Sequence, residues 1–179
     1  MSFRSDVVNE AIREWERYPN GRPDLYADEV GGDRGAEWCG YYVLRSLKKA
    51  GLAKNVQWIQ GIGFLGPLKL PLTKSPLPGD VAYIDQPFRH EAVVVNYEPS
   101  TGMVTTMDGN QPHISPKVRF VGNGGIAFYS IQPLVEEAER NQSIVGYLVM
   151  GAIVAGAAAW VWENGLPKPI ERVIKRLAA

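Results

Sequence analysis

The 179-residue chain is poor in the side chains that soft chemistry needs. It has one cysteine, Cys39, and two histidines, His90 and His113. A single cysteine excludes an intramolecular disulfide and any multi-cysteine zinc site. So few soft ligands argue against a transition-metal enzyme. Charge of one sign is also lacking, since 19 Lys+Arg balance 19 Asp+Glu. A nucleic-acid binder normally carries a basic excess, so no nucleic-acid partner is expected. The N-terminus lacks an apolar run: charges recur from Met1 to Tyr18, and no signal peptide is read there. Internal repeats and low-complexity tracts are absent too.

What is present is distributed unevenly. Residues 1–142 carry 15 basic and 17 acidic residues, and residues 143–179 carry 4 and 2. From Ile144 to Trp162 no charge occurs for 19 residues. As a helix that run spans about 28 Å, the thickness of a hydrocarbon core. Gly146, Gly151 and Gly156 suit a membrane helix, and Tyr147 with Trp160 and Trp162 resembles an aromatic belt. A transmembrane helix over 143–163 is therefore expected, after a connector at 134–142. The last segment, 164–179, reads as a short basic amphipathic tail, with Ile170, Val173, Ile174 and Leu177 on one side and a place for it at a membrane surface.

The body reads as α+β. Ser5 is a candidate N-cap for a helix to about Tyr18 with Val8, Ala11, Ile12 and Trp15 on one face. Pro19 to Gly35 reads as a polar loop. A second helix is expected from about Trp38 to Ala50, with Gly51 as its stop. Residues 52–78 read as irregular. The pattern then turns strand-like over 80–84, 91–98, 103–108, 117–121 and 126–131, about five short strands in an antiparallel sheet. Pro99 to Gly102 marks a hairpin turn. Centring it on Ser100-Thr101 pairs residues whose numbers sum to about 201, which sets His90 nearly level with Asp108 and Asn110.

Three features suggest chemistry. Cys39 opens the second helix, where the macrodipole and free N–H groups favour thiolate; the bland reading is a small buried hydrophobe. His90 opens a strand and is placed to serve a thiol as base; His113 competes from a Pro-rich loop. Asp108-Gly109-Asn110-Gln111 ends the neighbouring strand, where Asp108 or Asn110 is placed to fix the His90 tautomer; alone, D-G is also a turn signal.

In the order EWCGYYVLRSLKKAG, LPGDVAYI, RHEAVVVNYE and TTMDGNQ, the chain resembles the CHAP and NlpC/P60 peptidoglycan hydrolases of the papain-like superfamily. The resemblance covers about Val8 to Ile131. It implies a catalytic domain at 1–133, with N-terminal helices packed on the sheet and Cys39, His90, Asp108 and Asn110 as catalytic residues. It implies a cysteine hydrolase, an amidase or an endopeptidase, cleaving peptidoglycan amide bonds. Arg89, Glu91 and Gly40 depart from the family pattern, which has glycine before the histidine, a small residue after it and more often alanine after the cysteine. Glu91 falls on the strand face opposite His90.

With the apolar tail, this gives a membrane-anchored hydrolase. Its expected partners are peptidoglycan, a lipid membrane through 144–162, and other virion or envelope proteins. Lacking a signal, it fits a phage virion-associated lysin in the virion membrane or bacterial envelope. The alternatives are a secreted toxin-type amidase and a non-catalytic wall-binding or structural virion module. No cofactor is expected. Asp24, Asp28, Glu29 and Asp33 offer oxygen ligands to calcium, but their spacing favours a solvated acidic loop. Gly61 to Gly66 matches G-x-G-x-x-G without the strand and helix that a nucleotide loop requires.

Overall fold

The structure, a computed structural model, describes residues 2–60, 63–85, 88–110, 113–122 and 124–164, with backbone only at residues 151 and 154–164. It divides into two units, Met1–Ala138 and Glu139–Ala179.

The first unit begins with helix α1 (Phe3–Arg17). Its N-cap is Ser2, whose side chain accepts from the Ser5 N–H, so the helix starts before the expected Ser5 cap. Its buried residues are Val7, Ala11 and Glu14. A carboxylate thus stands where a purely apolar stripe was expected. Glu14 accepts from Arg22 Nε at 2.8 Å and from the Tyr26 hydroxyl at 2.8 Å, and it pairs with Arg45 at 3.2 Å. Burying that charge is tolerable because it is paired and hydrogen-bonded.

The polar segment expected as a loop contains a helix, α2 (Pro23–Val30), with proline in its first turn and left-handed Gly31 at its end. Its Tyr26, Ala27 and Val30 are buried. Helix α3 (Cys39–Lys49) is buried from Cys39 through Leu47, and Lys48 and Lys49 end it. Arg45 ties the three helices together, reaching Glu10 and Glu14 on α1 and Glu29 on α2. Part of the segment expected to be irregular is ordered: α4 (Leu65–Leu68) is a single turn and β1 (Leu72–Thr73) a two-residue strand.

The remaining strands are β2 (Val81–Ile84), β3 (His90–Glu98), β4 (Met103–Asp108), β5 (Ser115–Phe120) and β6 (Ile126–Tyr129). The sheet has six strands in the order β1-β6-β2-β3-β4-β5, every pairing antiparallel. The α+β class and the antiparallel sheet are as expected, with β1 the added strand. Val81, Val93 and Met107 pack with Val7, Tyr26, Tyr42, Leu44 and Leu47 on the inner face, against the helices. Ala82, Ile84, Ala92, Val94, Val104 and Phe128 form a smaller cluster on the outer face.

The β3–β4 hairpin follows the expected sum of 201 from Glu98↔Met103 to Asn96↔Thr105. The register then shifts, and from Val94↔Thr106 to Ala92↔Asp108 the sum is 200. Val95 is the extra residue of a β-bulge. Consequently Val95 packs on the inner face although Tyr97, two residues on, packs on the outer one.

Asp80 fixes the corner before β2. Its carboxylate accepts from Arg4 at 2.7 Å and from the backbone N–H groups of Leu77 at 2.8 Å and Ile131 at 2.9 Å. The Pro78-Gly79-Asp80 turn is therefore a clamp between α1, β2 and the end of β6. Gly79 has a left-handed φ of 90°, and a Cβ there would lie 3.2 Å from the Arg4 carbonyl.

Helix α5 (Gln132–Asn164) starts two residues before the expected 134–142 connector and runs through it. Val135 is buried, and Leu134 and Ala138 pack on the first unit's core. In the second unit, Ile144, Val145, Tyr147 to Met150 and Ile153 are exposed. Among the described residues no helix is long and apolar enough to cross a membrane. The side chains of residues 151 and 154–163 within the expected 143–163 span lie outside the described residues, as does the expected 164–179 tail beyond the backbone of Asn164.

Candidate functional site

Cys39 is the first residue of α3, preceded by Trp38 as N-cap. The local sequence explains the start: Gly35 has a left-handed φ of 80° and turns the chain, and a run of helix-compatible residues follows. At a helix start the first N–H groups have no partner within the helix. Cys39 is buried, and its thiol donates to Glu91 Oε2 at 3.3 Å.

His90 does not take that place. Ile84 is its partner on β2, and Ile84 belongs to the outer-face cluster. There His90 Nε2 meets Asp108 Oδ2 at 2.9 Å. Asp108 also receives Arg119 at 3.0 and 2.5 Å and the Thr106 hydroxyl at 2.6 Å. His90 and Asp108 thus come together as an imidazole–carboxylate pair, on the side of the sheet away from α3. Cys39 and His90 lie on opposite faces, and Glu91 holds the position facing the thiol.

Asn110 goes elsewhere again. It has a left-handed φ of 61°, and its Nδ2 donates to the Glu37 carboxylate, two residues before Cys39. Gly109, between Asp108 and Asn110, lies against Trp38, where a Cβ would come within 2.8 Å of the ring. His113 is exposed.

The electrostatics correct one expectation. The helix start was expected to favour thiolate. Burial instead pushes the Cys39 thiol up to about 12, and the Glu91 charge adds to the rise. Backbone N–H groups of Glu91 and Gly40 pull the other way and are outweighed. Desolvation and a nearby like charge both penalise an anion more than a helix terminus helps it. Burial likewise raises the Glu91 carboxyl, against the Cys39 bond and the charges of His90 and Arg89. Burial works on Asp108 in the same sense, but the bonds from His90 and Arg119 prevail and leave it below its ordinary value.

Trp58 completes the surroundings. It is half-buried, with its ring edge-on to Tyr41 at 4.7 Å between centroids. Trp38, Tyr41 and Tyr42 are core residues. The glycine after the cysteine now has a reason. A Cβ at Gly40 would lie 2.6 Å from the Trp58 ring and 3.2 Å from Glu91 Oε2. Gly40→Ala, which inside an ordinary helix stabilises, is expected here to cost about 1–3 kcal/mol by overpacking. Urea unfolding followed by tryptophan fluorescence checks it, and a stabilised variant would contradict the packing.

Metal binding has little support in the acidic stretch before Cys39. Asp28 pairs with Arg34 at 2.5 Å, and Glu29 is held by Arg45 at 2.6 Å and Lys49 at 2.9 Å. Among the described residues no group of three His, Cys, Asp or Glu side chains converges on a metal position. The sequence reading missed Glu91 and Arg119. Glu91 was set aside because period-two alternation separates it from His90, and that same alternation turns it to the thiol. Arg119 gave no signal beyond a charge in a strand.

No family model, curated protein or solved structure matches the chain.

Proposed function

We propose that the body of this protein is a thiol hydrolase that cleaves amide bonds of peptidoglycan, with Cys39 as nucleophile and Glu91 as its proton acceptor. One observation carries the reading: the chain's single cysteine opens a buried helix with its thiol 3.3 Å from a carboxylate oxygen. The substrate class rests on the resemblance of the Cys39, Pro78-Gly79-Asp80, His90 and Asp108–Gln111 segments to CHAP and NlpC/P60 hydrolases.

In the proposed reaction the thiol proton passes to Glu91 as sulfur attacks the amide carbonyl carbon. The Cys39 backbone N–H, at the helix start, is the oxyanion donor. The C–N bond then breaks, and the leaving amine takes the proton from Glu91. Water, deprotonated by Glu91, hydrolyses the thioester and restores the thiol. A carboxylate raised by burial is a stronger base than an exposed one, which suits this role. His90 and Asp108 act at a distance from the reacting atoms, holding the strands that present Glu91.

The apolar run 144–162 is proposed to anchor the protein in a lipid membrane, of a virion or a bacterial envelope. A phage virion-associated lysin and a secreted toxin-type amidase share this chemistry. A non-catalytic wall-binding module is the second reading, favoured by the strong upward shift of the thiol.

Full-length protein in mild detergent, wild type against Cys39→Ala, is to be incubated with purified peptidoglycan and the products read by mass spectrometry. Fragments from wild type alone are expected, and the newly exposed end names the bond. Sedimentation with peptidoglycan but no fragments from either folded protein would favour the binding module.

A further inference from the structure

We infer that the Arg119–Asp108–His90 cluster on the outer face selects Glu91, rather than its neighbour His90, as the partner of Cys39. This rests on the reading that Glu91 serves the thiol. In it, Asp108 and Arg119 are positioning residues that never touch substrate.

The hydrophobic pattern of β3 does not choose between the two. Residues 92–95 read Ala-Val-Val-Val, apolar on both faces. A one-residue slip exchanges every side chain between faces, and register is weakly specified where both faces accept the same residues. Val93 and Val95 pack inward and Ala92 and Val94 outward, and either set fits either side in kind. The bulge at Val95 shows that the extra residue is accommodated within this strand. Only positions 90 and 91 differ in chemistry.

The outer face distinguishes them. Asp108 is fully buried there, held by His90 at 2.9 Å and Arg119 at 2.5 Å, with Thr106 at 2.6 Å. Were β3 turned over, Glu91 would stand where His90 now meets Asp108. Two carboxylates would then share a buried site, which is strongly unfavourable. Turning His90 inward would also remove one of Asp108's two nitrogen partners. Around Glu91 itself, Tyr83 stands directly across on β2, Cys39 and Gly40 face it from α3, and Arg89 is exposed and 3.9 Å from Asp85. No cation from β2 or α3 is bonded to Glu91 in its present position, so the outer cluster supplies the ionic preference.

The test uses the thiol and needs no substrate. Cys39 is the chain's one cysteine, so iodoacetamide labelling of the full-length protein reports it alone. Rates are to be compared across pH for wild type, Arg119→Met, Glu91→Gln and the double variant, each confirmed folded by circular dichroism. Arg119→Met is expected to speed labelling at pH 8 by about tenfold or more, because a thiol freed from a carboxylate ionises more readily. In the Glu91→Gln background the same substitution is expected to change the rate by less than about twofold, the signature of an effect carried through Glu91. Arg119→Lys, which keeps the charge, is expected to restore the wild-type profile. If Arg119→Met does not fold, His90→Gln takes its place in the same cycle. A wild-type rate in the folded variant, or equal acceleration in both backgrounds, overturns the inference. Failure of the hydrolase reading shows separately, as absence of peptidoglycan cleavage.

Discussion

Asp80→Ala is expected to destabilise the body by about 3–5 kcal/mol, the range for removing one partner of a buried ion pair. Asp80 is 1% exposed and serves three donors: Arg4, the Leu77 N–H and the Ile131 N–H. Deleting it leaves a guanidinium and two backbone donors short of an acceptor, and each buried donor without a partner carries its own desolvation cost. A domain of this size has about 5–15 kcal/mol in total, so the loss is a large fraction. Asp80→Asn keeps an acceptor oxygen but not the charge, and is expected to fall between wild type and alanine. Arg4→Met leaves Asp80 its two backbone donors, Leu77 and Ile131, and is expected to cost less than Asp80→Ala. Urea unfolding with a shared m-value measures all three. An Asp80→Ala midpoint equal to wild type would show that the turn holds without its carboxylate.

Glu91→Gln is expected to move two observables in opposite directions. The amide keeps the size of the side chain and removes the charge. The thiol should fall from about 12 towards its ordinary 9.0, since the carboxylate charge no longer opposes thiolate. Labelling of Cys39 near pH 8 therefore accelerates. Peptidoglycan cleavage is expected to drop by about 10²–10⁴-fold, the usual contribution of a positioned base. The same shift has a stability consequence. In wild type the folded thiol stays protonated above 9.0 while the unfolded thiol ionises, so the native state binds more protons. Stability therefore declines as pH rises through that window, and the decline should be smaller in Glu91→Gln. Faster labelling with undiminished cleavage would remove Glu91 from the mechanism and leave the thiol as the sole participant.

Several elements were legible because their signals are local. Cys39 opens α3 and Gly51 follows its end, as the apolar spacing and the terminal lysines indicated. The Pro99–Gly102 turn and its register held over the first three pairs. Alternation located β2 to β6 within a few residues. Helix α2 was not legible, because it is short and its composition resembles a loop. Its stability comes from burying Tyr26 and Val30, from the Tyr26 hydroxyl's bond to Glu14 on α1, and from the Glu29–Arg45 ion pair to α3. Glu14 was not legible as core for the same reason: a carboxylate becomes a buried residue only when Arg22, Tyr26 and Arg45 arrive from elsewhere in the chain.

The sequence by itself determined that one thiol stands at a helix start, that His90 and Glu91 flank the mouth of a strand, and that Asp108 ends its neighbour. It set His90 beside Asp108 or Asn110, but it did not determine whether His90 or Glu91 meets Cys39. Counted in strict alternation from Tyr97, His90 would fall on the inner face with Cys39, and Glu91 on the outer one. The extra residue at Val95 reverses that parity. Alternation propagates a face assignment only while the register is unbroken, and a bulge inside an Ala-Val-Val-Val run leaves no trace in the hydrophobic pattern. The tertiary structure alone, through the charges that surround Asp108 and the depth at which Cys39 is buried, decided that the thiol faces a carboxylate.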